Sequence, residues 1–304
     1  MRLASVVIVA AMLVTGCVGG LLRAGWALPL SVAGPWAGQA VLAHAFLVIG
    51  AFMGTVIGLE RAVAVKARPA FIAPACSAAA GAWMVAGWPV VAAWLMVAAS
   101  IVFVAVNLTV VSRQRAPHTA VLLGGAVAWF VGNLLHAAGC PGATVVPWWF
   151  AFLVLTIAAE RLEMTRLMRR RPGAAPALHV CLGLLLAGAA ASGWSSAWGG
   201  LVFGGSLVGL AAWLAWFDIA RRTVSAHGLS RYMATCLLLG YGWLAIAGLA
   251  WAAADPVPAA RDVALHALGL GFVFSMMLGH APVILPALTR VKLLFGGVFY
   301  LPLA

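Results

Sequence analysis

Residues 262–286 read Asp-Val-Ala-Leu-His-Ala-Leu-Gly-Leu-Gly-Phe-Val-Phe-Ser-Met-Met-Leu-Gly-His-Ala-Pro-Val-Ile-Leu-Pro. The stretch is apolar except at Asp262, His266, Ser275 and His280, and it exceeds the roughly 20 residues that one helix needs to cross a bilayer. His280 follows His266 by fourteen steps, which on an α-helix is a rotation of about 40° and a rise of roughly 21 Å. Helical geometry therefore predicts two imidazoles on one face at different depths. An imidazole in hydrocarbon is costly unless it is ligated, hydrogen-bonded or facing water, so each is a candidate functional group.

The rest of the chain repeats the pattern. Of its 304 residues 65% are hydrophobic and only 8% charged, more apolar surface than a soluble fold can hide. The expected fold is all-α: a polytopic transmembrane helical bundle forming a single domain over 1–304. Spans are predicted near 4–22, 38–60, 70–87, 90–111, 119–138, 146–165, 177–194, 199–219, 232–253 and 262–286. These are ten complete crossings, and a truncated eleventh is expected to begin near 291, with the parent chain continuing past Ala304. The net charge of +12 comes with no basic, aromatic-laced soluble face, which argues against nucleic acid and leaves the lipid bilayer as the partner. Five cysteines, Cys17, Cys76, Cys140, Cys181 and Cys236, form no Cys-x-x-Cys pair, which argues against a disulfide framework, a zinc knuckle or covalent haem attachment.

Lys and Arg set the expected orientation, because cytoplasmic loops carry their excess. Of the 18, only Arg23 and Arg261 fall on the side opposite the others, which places the N-terminus in the cytoplasm. Leu13-Val14-Thr15-Gly16-Cys17 also satisfies a lipoprotein cleavage pattern, against the alternative of a plain first helix. Gly50, Gly54 and Gly58 in the second span admit either a neighbouring helix or a flat ligand. Phe52–Arg61 and Phe152–Arg161 match in pattern one hundred residues apart, each containing Glu-Arg. Glu60 and Glu160 are read as ion-paired interfacial anchors, Asp218 as the partner of Arg221 and Arg222, and His118 and His227 as solvated. Tyr241 is a buried hydroxyl. Trp26, Trp36, Trp88, Trp148, Trp149, Trp194, Trp198 and Trp251 are expected to form an outer aromatic belt.

Depth sorts the remaining histidines. His44, His136 and His266 fall near the outer surface, while His179 and His280 lie nearer the cytoplasm. Imidazole suits haem iron, copper or zinc, but zinc hydrolysis is disfavoured by the lack of His-Glu-x-x-His. Two histidines near the outer ends of inward-running spans two and ten resemble the low-spin haem site of haem-copper oxidase catalytic subunits. The histidines that hold copper in those enzymes are missing here. His44-Ala45-Phe46, His136, His266-Ala267-Leu268-Gly269 and Gly279-His280 resemble the NnrS family of bacterial haem- and copper-containing membrane proteins linked to nitric oxide metabolism.

That resemblance implies a multi-pass bacterial inner-membrane protein binding b-type haem through His44 and His266, with copper as a further metal. His136 would be a third ligand or distal-pocket group, and His280 with His179 an inner site. The implied role is nitrosative-stress tolerance or related electron transfer, with nitric oxide or another small molecule as ligand. The residues also admit a secondary transporter with a histidine-lined proton or substrate path, and a membrane assembly factor with histidines satisfied by carbonyls. A reporter fused at Arg170 is expected to read as cytoplasmic; periplasmic activity there would contradict the charge-based topology.

Overall fold

The computed structural model describes residues 2–27, 34–164, 172–289 and 295–303. Among them there is helix and no strand. The expected basic break at 166–171 and the residues 290–294 leading into the expected eleventh span lie outside the described residues, while Gly297–Leu303 form a 3-10 helix.

Proline opens many of the helices, since its missing N–H is unpaired at that position anyway and its fixed φ suits the first turn. The chain contains α1 (Arg2–Arg23), α2 (Pro35–Leu42), α3 (Gly54–Val65), α4 (Ile72–Val85), α5 (Pro89–Arg113), α6 (Pro117–Ala137) and α7 (Gly142–Met164). It continues with α8 (Ala174–Ala191), α9 (Ser196–Phe217), α10 (Ala220–Thr223), α11 (Gly228–Ala252), α12 (Pro258–His266) and α13 (Phe274–Thr289). Two π-helical segments interrupt this series: π1 (Phe46–Met53) between α2 and α3, and π2 (Ala267–Val273) between α12 and α13. Gly87 and Gly139 have φ of 85° and 78°, a left-handed conformation that glycine adopts without strain, and they make the tight turns before α5 and α7.

Eight helical stretches among the described residues are long and apolar enough to cross a membrane: 46–65, 89–113, 117–137, 142–164, 174–191, 196–217, 228–252 and 258–283. The segment expected to span 70–87 is a 14-residue helix, α4, preceded by the 3-10 turn Arg68–Phe71. That helix is about 21 Å long, against a hydrocarbon core of about 30 Å. α1 runs unbroken through Cys17.

The chain divides into two compact units, Met1–Phe152 and Leu153–Ala304. In the first, α1 packs on α2, π1 and α4, and α4 to α6 pack on one another in sequence. In the second, α8, α9 and α11 pack in sequence, and α11 also carries α12, π2 and α13. Close approaches between helices run through glycine. A Cβ on Gly19 would lie 2.2 Å from the Ala40 carbonyl oxygen, and one on Gly204 would lie 2.4 Å from that of Gly248.

These contacts bring backbone against backbone, so the small-residue spacing is a packing device. Gly204→Ala is expected to push α9 from α11 and cost about 1–3 kcal/mol. Gly205→Ala, where the added carbon meets nothing within 4 Å, is expected to be neutral. Thermal unfolding in detergent distinguishes the two.

Candidate functional site

α1 sets the orientation of His44. The imidazole Nδ1 lies 2.6 Å from the Gly16 carbonyl oxygen, and the ring rests on Gly20, where a Cβ would come within 2.8 Å of Cε1. A carbonyl can only accept, so Nδ1 carries the proton and Nε2 keeps its lone pair. A metal-ligating imidazole oriented by a backbone carbonyl has this same tautomer. His266 ends α12 and is exposed. Its Nδ1 donates to the Asp262 carbonyl one turn back, at 2.8 Å, and its Nε2 has no hydrogen-bond partner among the described residues.

Each of these two histidines immediately precedes a π-helical stretch: Phe46 lies two residues after His44, and Ala267 follows His266 directly. They are the only two π segments among the described residues. Such segments are rare and usually confined to a single turn at a functional position. Each contains a glycine against which a neighbour presses, Gly50 under Met96 in the first unit and Gly271 under Trp243 in the second. A π segment turns less per residue than an α-helix, because its hydrogen bonds reach one residue further. The 100° count that put His280 on the face of His266, and Gly58 on that of His44, therefore does not carry over.

His136 sits among aromatic rings. Its ring centroid is 5.3 Å from that of Phe46, the first residue of π1, and 5.3 Å from that of Trp149. Trp149 is held in turn by Asn133, whose Oδ1 accepts from the indole N–H at 2.9 Å while its Nδ2 donates to the Met96 carbonyl at 3.4 Å. Trp149 and Trp251 are buried, so neither belongs to an outward-facing belt. Trp26, Trp88, Trp194 and Trp198 are exposed as such a belt requires.

Among the described residues no hydrogen bond or ring contact joins His179 to His280. α8 packs on α9, whereas α13 packs on α11, and each imidazole spends Nδ1 on its own helix, at Ala175 and Met276 respectively. His118 also departs from expectation. It is only 5% exposed, because Pro117 starts α6 one residue earlier and Thr119 ties the turn back to the Gln114 and Ala116 carbonyls. His227, at the start of α11, is exposed as expected.

The glycine stripe of the second span is filled by neighbouring helices. Added carbons at Gly50, Gly54 and Gly58 would meet Met96, Trp129 with Ser77, and Pro74, which decides for packing over a flat ligand. Among the described residues no group of three or more His, Cys, Asp or Glu could hold a metal ion. A copper or zinc centre of that kind is therefore not formed among them. With Nδ1 committed to a carbonyl, the imidazole of His44 and that of His266 each have the tautomer in which Nε2 is the nitrogen that would serve a haem iron.

Sequence reasoning missed a buried ion pair. Arg161 Nε and Nη2 donate to Asp218 Oδ2 and Oδ1 at 2.8 and 3.2 Å, with the side chains 5% and 1% exposed. Oδ1 also accepts from the Ala220 N–H at 2.8 Å. Asp218 thus pairs with α7 instead of Arg221 and Arg222, and Arg221 lies over the Trp216 ring, 5.3 Å from its centroid. The Tyr241 hydroxyl, buried within electrostatic reach of both partners, has no hydrogen bond of good geometry among the described residues. Glu60 does pair, with its neighbour Arg61 at 2.9 Å.

The model of a family described as a domain of unknown function, DUF8744, matches residues 2–304. The chain belongs to that family. No curated protein and no solved structure matches it. Arg161→Ala is expected to leave Asp218 buried and uncompensated, at a cost of about 3–5 kcal/mol. Arg161→Met combined with Asp218→Leu is expected to recover most of that loss in the same unfolding assay, since an apolar pair of similar volume has no charge to desolvate.

Proposed function

We propose that this DUF8744 protein is a haem-binding protein of the bacterial inner membrane, of NnrS type, in which His44 and His266 would hold a b-type haem. The observation that carries the reading is the pairing of each histidine with a π-helical segment, two rare local structures placed beside the two imidazoles that the sequence singles out. The group would supply redox chemistry or binding of a small ligand such as nitric oxide. The chain's residues orient the donors: Gly16 and Asp262 fix the tautomers, and Gly20 makes room for the His44 ring. His136, against Phe46 and Trp149 beside π1, would be a further ligand or a distal-pocket group. In this reading α1 and the short α4 complete ten crossings with the N-terminus in the cytoplasm, consistent with the asymmetry of Lys and Arg. The role in the cell is nitrosative-stress tolerance or the associated electron transfer.

The buried Arg161–Asp218 pair favours a second reading, a secondary transporter, because intramembrane charges mark ion and substrate paths. Haem content separates the two. The purified protein is expected to show a Soret band with a low-spin spectrum, and His44→Ala or His266→Ala to abolish that spectrum while membrane insertion is unchanged. A colourless wild-type protein expressed with ample haem, or two variants with full haem and unaltered spectra, would move the transporter reading ahead.

A further inference from the structure

Three stretches of the first unit meet at one corner. α3 stops at Val65, where Lys66 takes a left-handed backbone with φ of 57°, the 3-10 turn Arg68–Phe71 follows, and α5 ends at Arg113, two residues before Arg115. The turn packs on both α3 and α5. Beneath it Ala62, Val65, Ala70 and Val106 form a buried apolar cluster. At the rim Arg113 Nη1 donates to the Val65 carbonyl at 3.2 Å, across 48 positions of sequence. A helix C-terminus leaves such carbonyls without an intrahelical partner, so Arg113 closes the end of α3. Packing thus gathers Lys66, Arg68, Arg113 and Arg115 at one end of the unit.

All four are exposed. Over positions 1–152 the sequence holds a single acidic residue, Glu60, and Glu60 pairs with Arg61 at 2.9 Å. Lys66, Arg68 and Arg115 have no ion pair and no side-chain hydrogen bond among the described residues. Like charges gathered on one surface repel, and the unit's one carboxylate is already taken by Arg61. An anion from outside the chain would offset them.

The level of the corner selects that anion. The apolar stretches 46–65 and 89–113 end here and 117–137 begins just beyond, so the cations stand where hydrocarbon gives way to lipid headgroups. Val63 on α3, Phe71 on the turn and Leu108 on α5, each about one turn along the chain from a cation, are exposed apolar side chains. A free phosphate ion would use the cations alone, whereas a phospholipid uses both kinds of surface. We propose that this corner binds the headgroup of an anionic phospholipid, its phosphate on Lys66, Arg68 and Arg115 and its acyl chains against the apolar side chains beside them. Basic groups clustered at the ends of membrane spans hold headgroups of this kind. The site is independent of the haem reading.

The test uses the full chain, delipidated in detergent and titrated with phosphatidylglycerol or phosphatidylcholine, with bound lipid counted by native mass spectrometry. Phosphatidylglycerol is expected to bind, and phosphatidylcholine, which has no net charge, to bind about a hundredfold more weakly, at about fivefold per unmatched cation. Inorganic phosphate at equal concentration is expected not to displace the bound lipid. Lys66→Gln combined with Arg68→Gln and Arg115→Gln removes three exposed charges, leaves Arg113 on Val65, and is expected to weaken phosphatidylglycerol binding by the same factor. Arg221→Gln combined with Arg222→Gln and Arg231→Gln, the same change of charge in the second unit, is expected to leave that binding unaltered. Equal affinity for the two lipids, equal loss in the two triple variants, or displacement of the lipid by phosphate at equal concentration would overturn the proposal.

Discussion

Inside a bilayer a polar group has no water to turn to, and the local structure of this chain follows from how each such group is satisfied. The main chain answers by remaining helical. Where the regular ladder changes, in π1 and π2, the chain still hydrogen-bonds to itself with a wider spacing, and it does so beside His44 and His266. Side chains answer in the same way. Four of the histidines aim Nδ1 at a carbonyl, but only that of His44 lies on a different helix, at Gly16. An intrahelical bond costs nothing to arrange, whereas the bond from His44 needs α1 brought close. Gly16, Gly19 and Gly20 allow that approach.

The same constraint explains the ion pair. Two opposite charges taken out of water lose several kcal/mol of hydration each, and only a close, hydrogen-bonded geometry recovers it. Arg161 and Asp218 have that geometry, with the Ala220 N–H taking up a further lone pair. The pair ties the end of α7 to the elbow between α9 and α10, and Tyr241 on α11 lies beside it. The end of α7, the α9–α10 elbow and α11 therefore meet at one charged point.

Much of this architecture is legible from hydropathy, because a membrane-spanning helix is defined by length and composition. The span expected at 90–111 is α5, Pro89–Arg113, and that at 232–253 is α11, Gly228–Ala252. What hydropathy does not encode is helix type. Fixed-angle counting assumes an α-helix throughout, so it placed His280 beneath His266 although seven π-helical residues intervene. Long-range pairing is equally silent in the sequence. Asp218 stands three residues from Arg221, yet its partner is Arg161, because the chain turns at α10 and presents the carboxylate to α7. Likewise nothing in the spacing of Phe46, His136 and Trp149 announces that their rings meet.

The central claim is the proposal that His44 and His266 would hold a b-type haem. Low-temperature electron paramagnetic resonance of the oxidised, purified protein, read together with its iron content, tests this most directly. The account predicts one haem per chain with the rhombic low-spin ferric signal of two axial imidazoles, and loss of that signal when either histidine is removed. A preparation with no haem iron, or one whose signal is high-spin and unaffected by removal of His44 or His266, would contradict it.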